Sequence, residues 1–373
     1  MDYLGKDTFK LGFGLMRLPK DEDGKSSVEK TSVMVDKFIE AGGTYFDTAY
    51  VYGDSEETTK KALVERHPRD SYTLASKINS HAPDCKSEED CKNQLFKSLE
   101  RTGAKYFDYY LLHAIGKNNI KEYDDWGIWE FVKEQKEKGL IKHWGFSFHD
   151  TAEFLDELLT KHPDAEFVQL QINYADWDNP KIESRACYEV ARKHNKPIVV
   201  MEPVKGGALA NPIDDIKNIF EKANPDMSYA SWAIRYVASL DGILTVLSGM
   251  SNLEQIEDNL SYMKDFKALD EKEIEVINKV KDTLYGIKSI ECTACRYCIE
   301  GCPMNIPIPD IFDVRNQQLR LNIPDARAKN SYKFQTNNKG KASECIECGQ
   351  CEGQCPQHLS IIELLKECAL NLE

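Results

Sequence analysis

Eight cysteines near the C-terminus fall into two copies of one spacing. Each copy reads C-x2-C-x2-C-x3-C-P, and the copies are Cys292, Cys295, Cys298, Cys302-Pro303 and Cys345, Cys348, Cys351, Cys355-Pro356. Such runs bind 4Fe-4S clusters in bacterial-type ferredoxins, where the fourth cysteine of one run ligates the other cluster. We therefore predict two clusters, one on Cys292, Cys295, Cys298 and Cys355 and the other on Cys345, Cys348, Cys351 and Cys302.

Two other kinds of site also use closely spaced cysteines. Paired CxxC motifs form four-cysteine zinc sites, although each run here supplies more thiolates than a paired motif needs. Disulfides are typical of small secreted chains, whereas the N-terminal string MDYLGKDTFKLGFG lacks the apolar core of a signal peptide. The spacing favours iron–sulfur clusters over both alternatives. The remaining cysteines are scattered and are expected to be ordinary thiols: Cys85, Cys91, Cys187 and Cys368.

A second group of reactive residues lies much earlier in the chain. Three consecutive β-type runs end in a titratable residue, namely Asp47, Lys77 and His113, and Tyr52 follows the first of them by five residues. A charge at the end of a buried strand is costly unless it is paired or catalytic. An ammonium held by a carboxylate is expected to lower the pKa of a neighbouring phenol. The group suits hydride addition to a carbonyl, with Tyr52 as general acid and His113 as hydrogen-bond donor.

A repeating strand–helix pattern is expected to position these residues. β-type runs alternate with amphipathic stretches such as VEKTSVMVDKFIEAGG, which Gly42-Gly43 ends. The runs are 13–18, 44–49, 72–78, 107–113, 143–148, 167–174, 197–203 and 243–249. Eight such units predict an α/β fold, a (β/α)8 TIM barrel with its active site at the carboxyl ends of the strands.

The string Gly12-Phe13-Gly14 begins like a dinucleotide-binding glycine motif. No third glycine follows, and no helix pattern opens directly after it. The Rossmann interpretation therefore fails its context test. The string indicates instead a strand that passes close to another backbone or to a ligand.

The length of 373 residues predicts two domains. We place the barrel at 1–285 and a small, mainly α-helical 4Fe-4S domain at 286–373, with helical spacing at 308–321 and 361–373 and Ser360 as an N-cap. A module of this size is marginal alone, and two clusters would act as staples for its fold.

Composition excludes several partners. The net charge of −14 argues against nucleic acids and anionic membrane surfaces. No stretch approaches the roughly 20 apolar residues of a membrane span. Oxygen-labile clusters and free thiols indicate a reducing, cytoplasmic location.

With these motifs in view, the chain resembles the aldo-keto reductase superfamily over residues 1–285. The resemblance rests on the DTAxxYG string, SK at 76–77, LLH at 111–113 and GFS at 145–147. It implies that the matching Asp47, Tyr52, Lys77 and His113 form a catalytic tetrad. LGFGLMRLP and MEPVKGG are similar to the iron–sulfur branch of that superfamily, whose barrel carries a C-terminal dicluster 4Fe-4S ferredoxin-type domain.

The resemblance also implies a nicotinamide nucleotide site. Ser147 and Gln171 match the carboxamide-binding residues, and Gly14 and Met16 line the nicotinamide end. The adenosine end is implied to involve the Ser248–Asn252 loop with Gly249, and Asn252, Gln255, Asp258 and Asn259. Phe148 and Met201 depart from the usual Asn and aromatic residue, and Gly249 and Gln255 stand where a phosphate-binding cation is common. Both NADPH and NADH therefore stay open as cofactors.

We predict an oxidoreductase that moves a hydride between NAD(P)H and a small carbonyl or alcohol. Trp144, His149 and His81 are candidates for the edge of its substrate pocket. Two alternatives remain open. The clusters could exchange electrons with an external carrier, or the barrel could be a non-catalytic binding module.

Overall fold

The computed structural model describes residues 4–373. They form two compact units, the first comprising the chain up to Gly206 with Ala230–Ile277, the second comprising Gly207–Tyr229 and Asn278–Glu373. The domain division placed after residue 285 stays a prediction. Among residues 4–373, no helix combines the length and apolar character needed to cross a membrane.

The first unit is a closed barrel of eight parallel strands that pair in chain order. The strands are β1 Leu11–Gly14, β2 Tyr45–Asp47, β3 Thr73–Ile78, β4 Phe107–Ile115, β5 Ile141–Phe148, β6 Phe167–Gln171, β7 Ile198–Met201 and β8 Ile243–Ser248. The predicted barrel is confirmed. The predicted first strand, 13–18, is wrong in its bounds, because pairing ends at Gly14 and Leu15–Arg17 forms a 3-10 turn.

Helices connect the strands and build the second unit. In chain order they are α1 Val28–Glu40, α2 Ser55–Thr59, α3 Glu88–Thr102, α4 Ile120–Asp125, α5 Ile128–Glu137, α6 Ala152–Lys161, α7 Ser184–Lys193, α8 Asp214–Ala223, α9 Tyr229–Ala238, α10 Leu253–Met263, α11 Glu271–Gly286, α12 Tyr297–Glu300, α13 Ile308–Leu321, α14 Asp325–Gln335, α15 Gln350–Gly353 and α16 Ile361–Leu372. Shorter helical segments are Lys60–Val64, Arg69–Ser71, Lys205–Ala210 and Ala342–Glu344.

Local sequence explains the ends of α1. The Ser27 hydroxyl accepts a hydrogen bond from the Lys30 N–H at its start. At its end, the Gly42 and Gly43 N–H groups donate to the carbonyls of Ile39 and Phe38, with Gly42 at a φ of 93°. This is the Schellman arrangement, and it confirms the predicted glycine stop.

Apolar side chains pack the interior of the barrel. One buried group consists of Tyr45, Ala75, Tyr109, Leu111, Phe167, Val199, Leu244 and Leu247. Gly145 on β5 leaves room for β6, since a Cβ there would lie 2.2 Å from the Phe167 carbonyl oxygen. A packed interior confines polar chemistry to the strand ends.

The second unit repeats itself with a shift of 53 residues. α12 and α15 begin at Tyr297 and Gln350, and α13 and α16 begin at Ile308 and Ile361. Predicted helices at 308–321 and 361–373 agree with α13 and α16. Ser360 occupies the predicted N-cap, but its side chain makes no capping hydrogen bond.

Candidate active site and candidate metal centres

Lys77 is the centre of the candidate active site. Its side chain on β3 is fully buried, and its ammonium donates to Asp47 Oδ1 at 2.5 Å and to the Thr48 carbonyl at 2.8 Å. Asp47 ends β2 opposite Ala75, so Lys77 reaches it from the neighbouring strand. A buried ammonium is stable only when it is paired, and Asp47 provides that partner.

Tyr52 and His113 lie beside this ion pair. Lys77 Nζ is 4.9 Å from the centre of the Tyr52 ring, and the Tyr52 and His113 ring centres are 5.6 Å apart. The turn after β2 positions Tyr52, whose N–H donates to the Ala49 carbonyl at 3.0 Å. Gly53 adopts a φ of 60° where this turn enters α2. The structure thus brings the four residues of the predicted tetrad together.

The pKa of Tyr52 differs in direction from the sequence-based expectation. Burial raises it above its ordinary value, and the charge and hydrogen bond of Lys77 oppose this shift without reversing it. The predicted lowering is therefore wrong for this structure, because removal of the phenolate from water outweighs the ammonium. Burial by itself would lower the pKa of Lys77. Asp47 and Tyr52 raise it by more than burial lowers it, so the pKa lies above its ordinary value and the ammonium stays protonated.

His113 is neutral at physiological pH. Burial, followed by the charges of Lys77 and His149, holds its pKa well below the usual value. Its Nδ1 and the second carboxylate oxygen of Asp47 are buried without hydrogen-bond partners among the described residues. A neutral imidazole with an unpaired ring nitrogen can serve a ligand oxygen as donor or acceptor.

The proposed nicotinamide residues occupy the same ends of the barrel strands. Ser147 is on β5 and accepts a hydrogen bond from the Ala114 N–H at 2.7 Å, which leaves its hydroxyl proton available. Gln171 ends β6 and donates to Asp176 at 3.0 Å. Gly14 ends β1.

Gly14 and Met16 lie at the carboxyl end of β1, Gly14 as its last residue and Met16 in the turn that follows. A Cβ at Gly14 would lie 3.4 Å from the Ser248 carbonyl oxygen, in agreement with the predicted close backbone approach. The Met16 side chain is 59% exposed despite its apolar character. Phe148, which departs from the usual Asn, is buried at the end of β5, and Met201 ends β7 opposite Gln171.

Most of the residues implied for the adenosine end of the nucleotide form hydrogen bonds with one another or with the loop after β8. Asn252 caps α10 by accepting from the Gln255 N–H at 2.9 Å, and the Gln255 side chain accepts from the Ser251 N–H at 2.7 Å. Asn259 is buried and donates to Ser248 Oγ at 2.9 Å. Asp258 lies on the same helix and is partly exposed.

Arg17 is a candidate nucleotide residue that the sequence did not single out. A Cβ at Gly249 would lie 3.5 Å from Arg17 Cδ, and the Ser251 hydroxyl donates to the Arg17 carbonyl at 2.7 Å. Its guanidinium is 3.5 Å from Glu202. The position of Arg17 within LGFGLMRLP was the available signal, but only the closed barrel brings β1 beside the loop after β8.

The three substrate-pocket candidates have different surroundings. His149 is exposed to solvent and lines a small cavity with Phe148, Gln171 and Cys187. Trp144 is buried against Trp129, with ring centres 6.2 Å apart, so its expected role at a pocket edge is replaced by core packing. His81 is exposed and lies 3.4 Å from Glu122.

Two cavities in the second unit collect the eight cysteines of the repeated runs. One is lined by Cys292, Cys295, Cys298 and Cys355, and the other by Cys302, Cys345, Cys348 and Cys351. Each cavity therefore joins three thiols of one run to the fourth thiol of the other. These are the two sets that the ferredoxin spacing predicts.

The two cysteine runs share an unusual backbone. Left-handed residues recur at matching offsets, which are Ala294, Arg296 and Asn305 in the first run and Glu347, Gly349 and His358 in the second. Only one of these residues is glycine, so both runs retain a conformation that L-residues disfavour. Such backbone strain persists where the surroundings enforce it, commonly around bound groups.

The thiols fit a cluster better than a single metal ion. Within residues 4–373, no group of three or more His, Cys, Asp or Glu side chains is close enough to hold one ion. The thiols instead surround cavities with aliphatic walls, including Ile308 in both. Backbone N–H groups of Ala294 and Ile306 donate to the sulfurs of Cys292 and Cys302 at 3.4 and 3.5 Å, and hydrogen bonds to sulfur tune the reduction potential of cysteine-bound clusters.

The barrel and the paired cavities define an oxidoreductase with an iron–sulfur module. The chain matches the Aldo/keto reductase family over residues 10–282 and the 4Fe-4S dicluster domain over residues 291–360. It belongs to the aldo/keto reductase family, which confirms the resemblance found in the sequence.

Named relatives agree with this class. The uncharacterized oxidoreductase YqkF of Bacillus subtilis is 25% identical over 75% of this chain and 95% of its own length. The aldo-keto reductase str7 of Strobilurus tenacellus is 32% identical over 59% of this chain and 66% of its length. A Klebsiella pneumoniae aldo-keto reductase solved with NADPH shares the fold, with a TM-score of 0.57, 20% identity and coverage of 73% and 90%.

Proposed function

We propose that the barrel interconverts a small carbonyl compound and its alcohol with NADPH or NADH, and that Tyr52 is the proton donor in reduction. The observation that carries this proposal is the buried Lys77 ammonium, paired with Asp47 and 4.9 Å from the Tyr52 ring centre. A reduced nicotinamide, when bound, supplies the hydride to the carbonyl carbon. The oxygen then needs a proton, and Tyr52 stays protonated at neutral pH because burial raises its pKa.

Each remaining member of the tetrad has a separate task. Lys77 stabilises the phenolate as it forms, because an opposite charge favours the ionised phenol. Asp47 keeps Lys77 charged and fixed at 2.5 Å. His113, neutral and 5.6 Å from the Tyr52 ring, orients the substrate oxygen by a hydrogen bond. A positioned general acid contributes on the order of 10²–10⁴ in rate.

The nucleotide is proposed to lie across the carboxyl ends of β1, β5, β6 and β8. The free Ser147 proton, the unpaired His113 Nδ1 and the exposed Met16 side chain support a fit to its nicotinamide end. The rest of the proposed contacts are Gly14, Gln171, Gly249, Asn252, Gln255, Asp258 and Asn259. Arg17 supplies a cation beside Gly249, which supports use of NADPH as well as NADH.

The C-terminal unit is proposed to hold two 4Fe-4S clusters with exchanged fourth ligands. The composition of the two cysteine-lined cavities supports this assignment. Bound clusters supply one-electron redox chemistry. We assign the carbonyl chemistry to the barrel, where the tetrad lies.

The test follows NAD(P)H oxidation against a panel of aldehydes and ketones, in anaerobically purified protein with both clusters loaded. Tyr52→Phe should lower kcat by about 10²–10⁴ and leave nucleotide binding by calorimetry unchanged. Tyr50→Phe is the matched control, because that hydroxyl contacts Asp84 and not Lys77. Equal activity of Tyr52→Phe and Tyr50→Phe would remove Tyr52 from its role.

A further inference from the structure

A basic segment interrupts this acidic chain. Residues 327–341 carry five positive side chains and no acidic one, whereas the whole chain has a net charge of −14. The segment comprises most of α14 and the turn that follows it. Its cations are Arg327, Lys329, Lys333, Lys339 and Lys341.

The basic segment faces solvent. α14 buries only Ala328 and Tyr332, while Lys333 and Lys339 are exposed. Among the ion pairs of residues 4–373, none involves Lys329, Lys333 or Lys339. Beside Lys333, the aromatic ring of Phe334 is 79% exposed. Aromatic residues are enriched in protein-binding surfaces relative to the rest of a protein surface.

Helix stability does not explain this charge pattern. Lys329 and Lys333 are four residues apart on α14, and like charges at this spacing destabilise a helix by about 0.2–0.5 kcal/mol. Acidic residues nearby have other partners. The Glu344 carboxylate accepts from the Lys341 N–H at 2.9 Å, and Glu347 pairs with Lys366 at 3.1 Å.

The basic segment packs directly on the second cysteine cavity. The Gly340 N–H donates to the Asn305 carbonyl at 3.2 Å, and a Cβ at Gly340 would lie 2.1 Å from the carbonyl oxygen of Met304, which lines that cavity. The Tyr332 hydroxyl accepts from the Ala342 N–H at 2.7 Å, three residues before Cys345. Ile346, another lining residue, is 58% exposed.

We propose that the basic segment, with Phe334 and Ile346, is the docking surface for a small acidic one-electron carrier protein. The inference rests on the second proposed cluster, held by Cys302, Cys345, Cys348 and Cys351. One electron passes from the reduced carrier to the oxidised cluster, or in the reverse direction, and no proton or bond is transferred. Charge complementarity selects the carrier, since opposite potentials steer association and suppress wrong partners.

The test compares holoprotein variants by binding. The triple variant K329E/K333E/K339E is set against a control, K222E/K264E/K272E, which reverses three exposed lysines elsewhere. The probe is a purified acidic ferredoxin, titrated anaerobically by calorimetry at low and at 0.3 M salt, with basic cytochrome c as the opposite-charge carrier. Wild type and control should bind ferredoxin and not cytochrome c. The triple variant should bind at least about tenfold more weakly and lose the salt dependence.

Several outcomes would overturn the proposal. Equal ferredoxin affinity of the triple variant and the control would do so, as would tight binding of duplex DNA or anionic vesicles with no binding of ferredoxin. Phe334→Ser should weaken ferredoxin binding without changing its salt dependence, because it removes apolar contact alone.

A purely internal role for the lysines gives a different result. If they only offset the negative charge of the cluster, the triple variant would shift the cluster reduction potential and leave carrier binding unchanged. Iron content and the visible spectrum of each variant report whether the clusters themselves are present. Absence of clusters in wild type would contradict the proposed cluster assignment, whereas intact clusters without carrier binding would contradict only the docking surface.

Discussion

The two candidate sites of this chain are held in place by different means. The Lys77–Asp47 pair is fixed by the barrel itself, since the two residues lie near the carboxyl ends of paired strands and are almost completely buried. The cysteines lie on loops with repeated left-handed residues and line two cavities. The barrel site is therefore preformed by packing, whereas the proposed clusters would offset the strain of the cysteine loops and complete their core.

The largest effect is expected from variants that test whether the two cysteine runs exchange their fourth ligands. In the exchanged arrangement, C292A/C355A removes two ligands of one cluster, whereas C292A/C302A removes one ligand from each. We expect about four iron atoms per chain in the first variant and almost none in the second, measured as iron and acid-labile sulfide. Nucleotide binding by the barrel should persist in both.

The reverse pattern, with more iron in C292A/C302A, would show that each run binds its own cluster. Cys187→Ala serves as the control, because this buried thiol lies in the barrel and burial raises its pKa to about 12.

Loss of the buried ammonium should destabilise the barrel alone. Lys77→Met keeps the side-chain length but leaves the Asp47 carboxylate without its partner, so the free energy of unfolding should fall by about 3–5 kcal/mol. Denaturant unfolding followed by barrel tryptophan fluorescence measures this change. Lys264→Met, on an exposed surface, should change it by less than about 0.5 kcal/mol. A similar small change for Lys77→Met would mean that the site is not held by this ion pair.

The two regions should also differ in their response to pH. Reduction needs Tyr52 protonated, and its raised pKa means that kcat falls only as pH rises beyond the ordinary value of about 10. His113 has a lowered pKa and becomes charged only well below its ordinary value of about 6.5. The kcat for reduction should therefore be flat between these two values, while acid should release iron as cysteines protonate. A bell-shaped profile centred near pH 7 would contradict these shifts.

The smallest expected effect is the change in stability on substitution of left-handed residues in the cysteine loops. Ala294 has a φ of 57°, and replacement by glycine should stabilise the second unit by about 1 kcal/mol because glycine adopts this conformation freely. Gly349→Ala should cost a similar amount, since its φ is 76° and the space around a Cβ there is open. Iron-release midpoints in guanidinium measure both changes. Equal midpoints would show that the backbone strain is not expressed in stability.

Sequence predicted those features that depend on local pattern. Apolar runs at regular spacing predicted the barrel, which is confirmed. Cysteine spacing predicted the two sets of cysteines that line the cavities, and strand-end polar residues predicted the four side chains that lie together. Glycines at 42 and 43 and helical spacing at 308–321 gave element ends within a residue or two.

Features that depend on the three-dimensional surroundings of a residue could not be predicted from the sequence. Whether burial or the ammonium dominates the pKa of Tyr52 depends on how completely the ring is removed from water. Trp144 was expected at the edge of a pocket but packs on Trp129, which lies on helix α5. Arg17 approaches Gly249 only because the barrel closes between its first and last strands.

The mixed origin of each cysteine cavity has a consequence for synthesis of the chain. The first three thiols, Cys292 to Cys298, leave the ribosome long before Cys355, their fourth neighbour, has been translated. Neither cavity can be completed until the second cysteine run has been translated. Assembly of either proposed cluster is thus deferred until then, when the barrel strands have already left the ribosome.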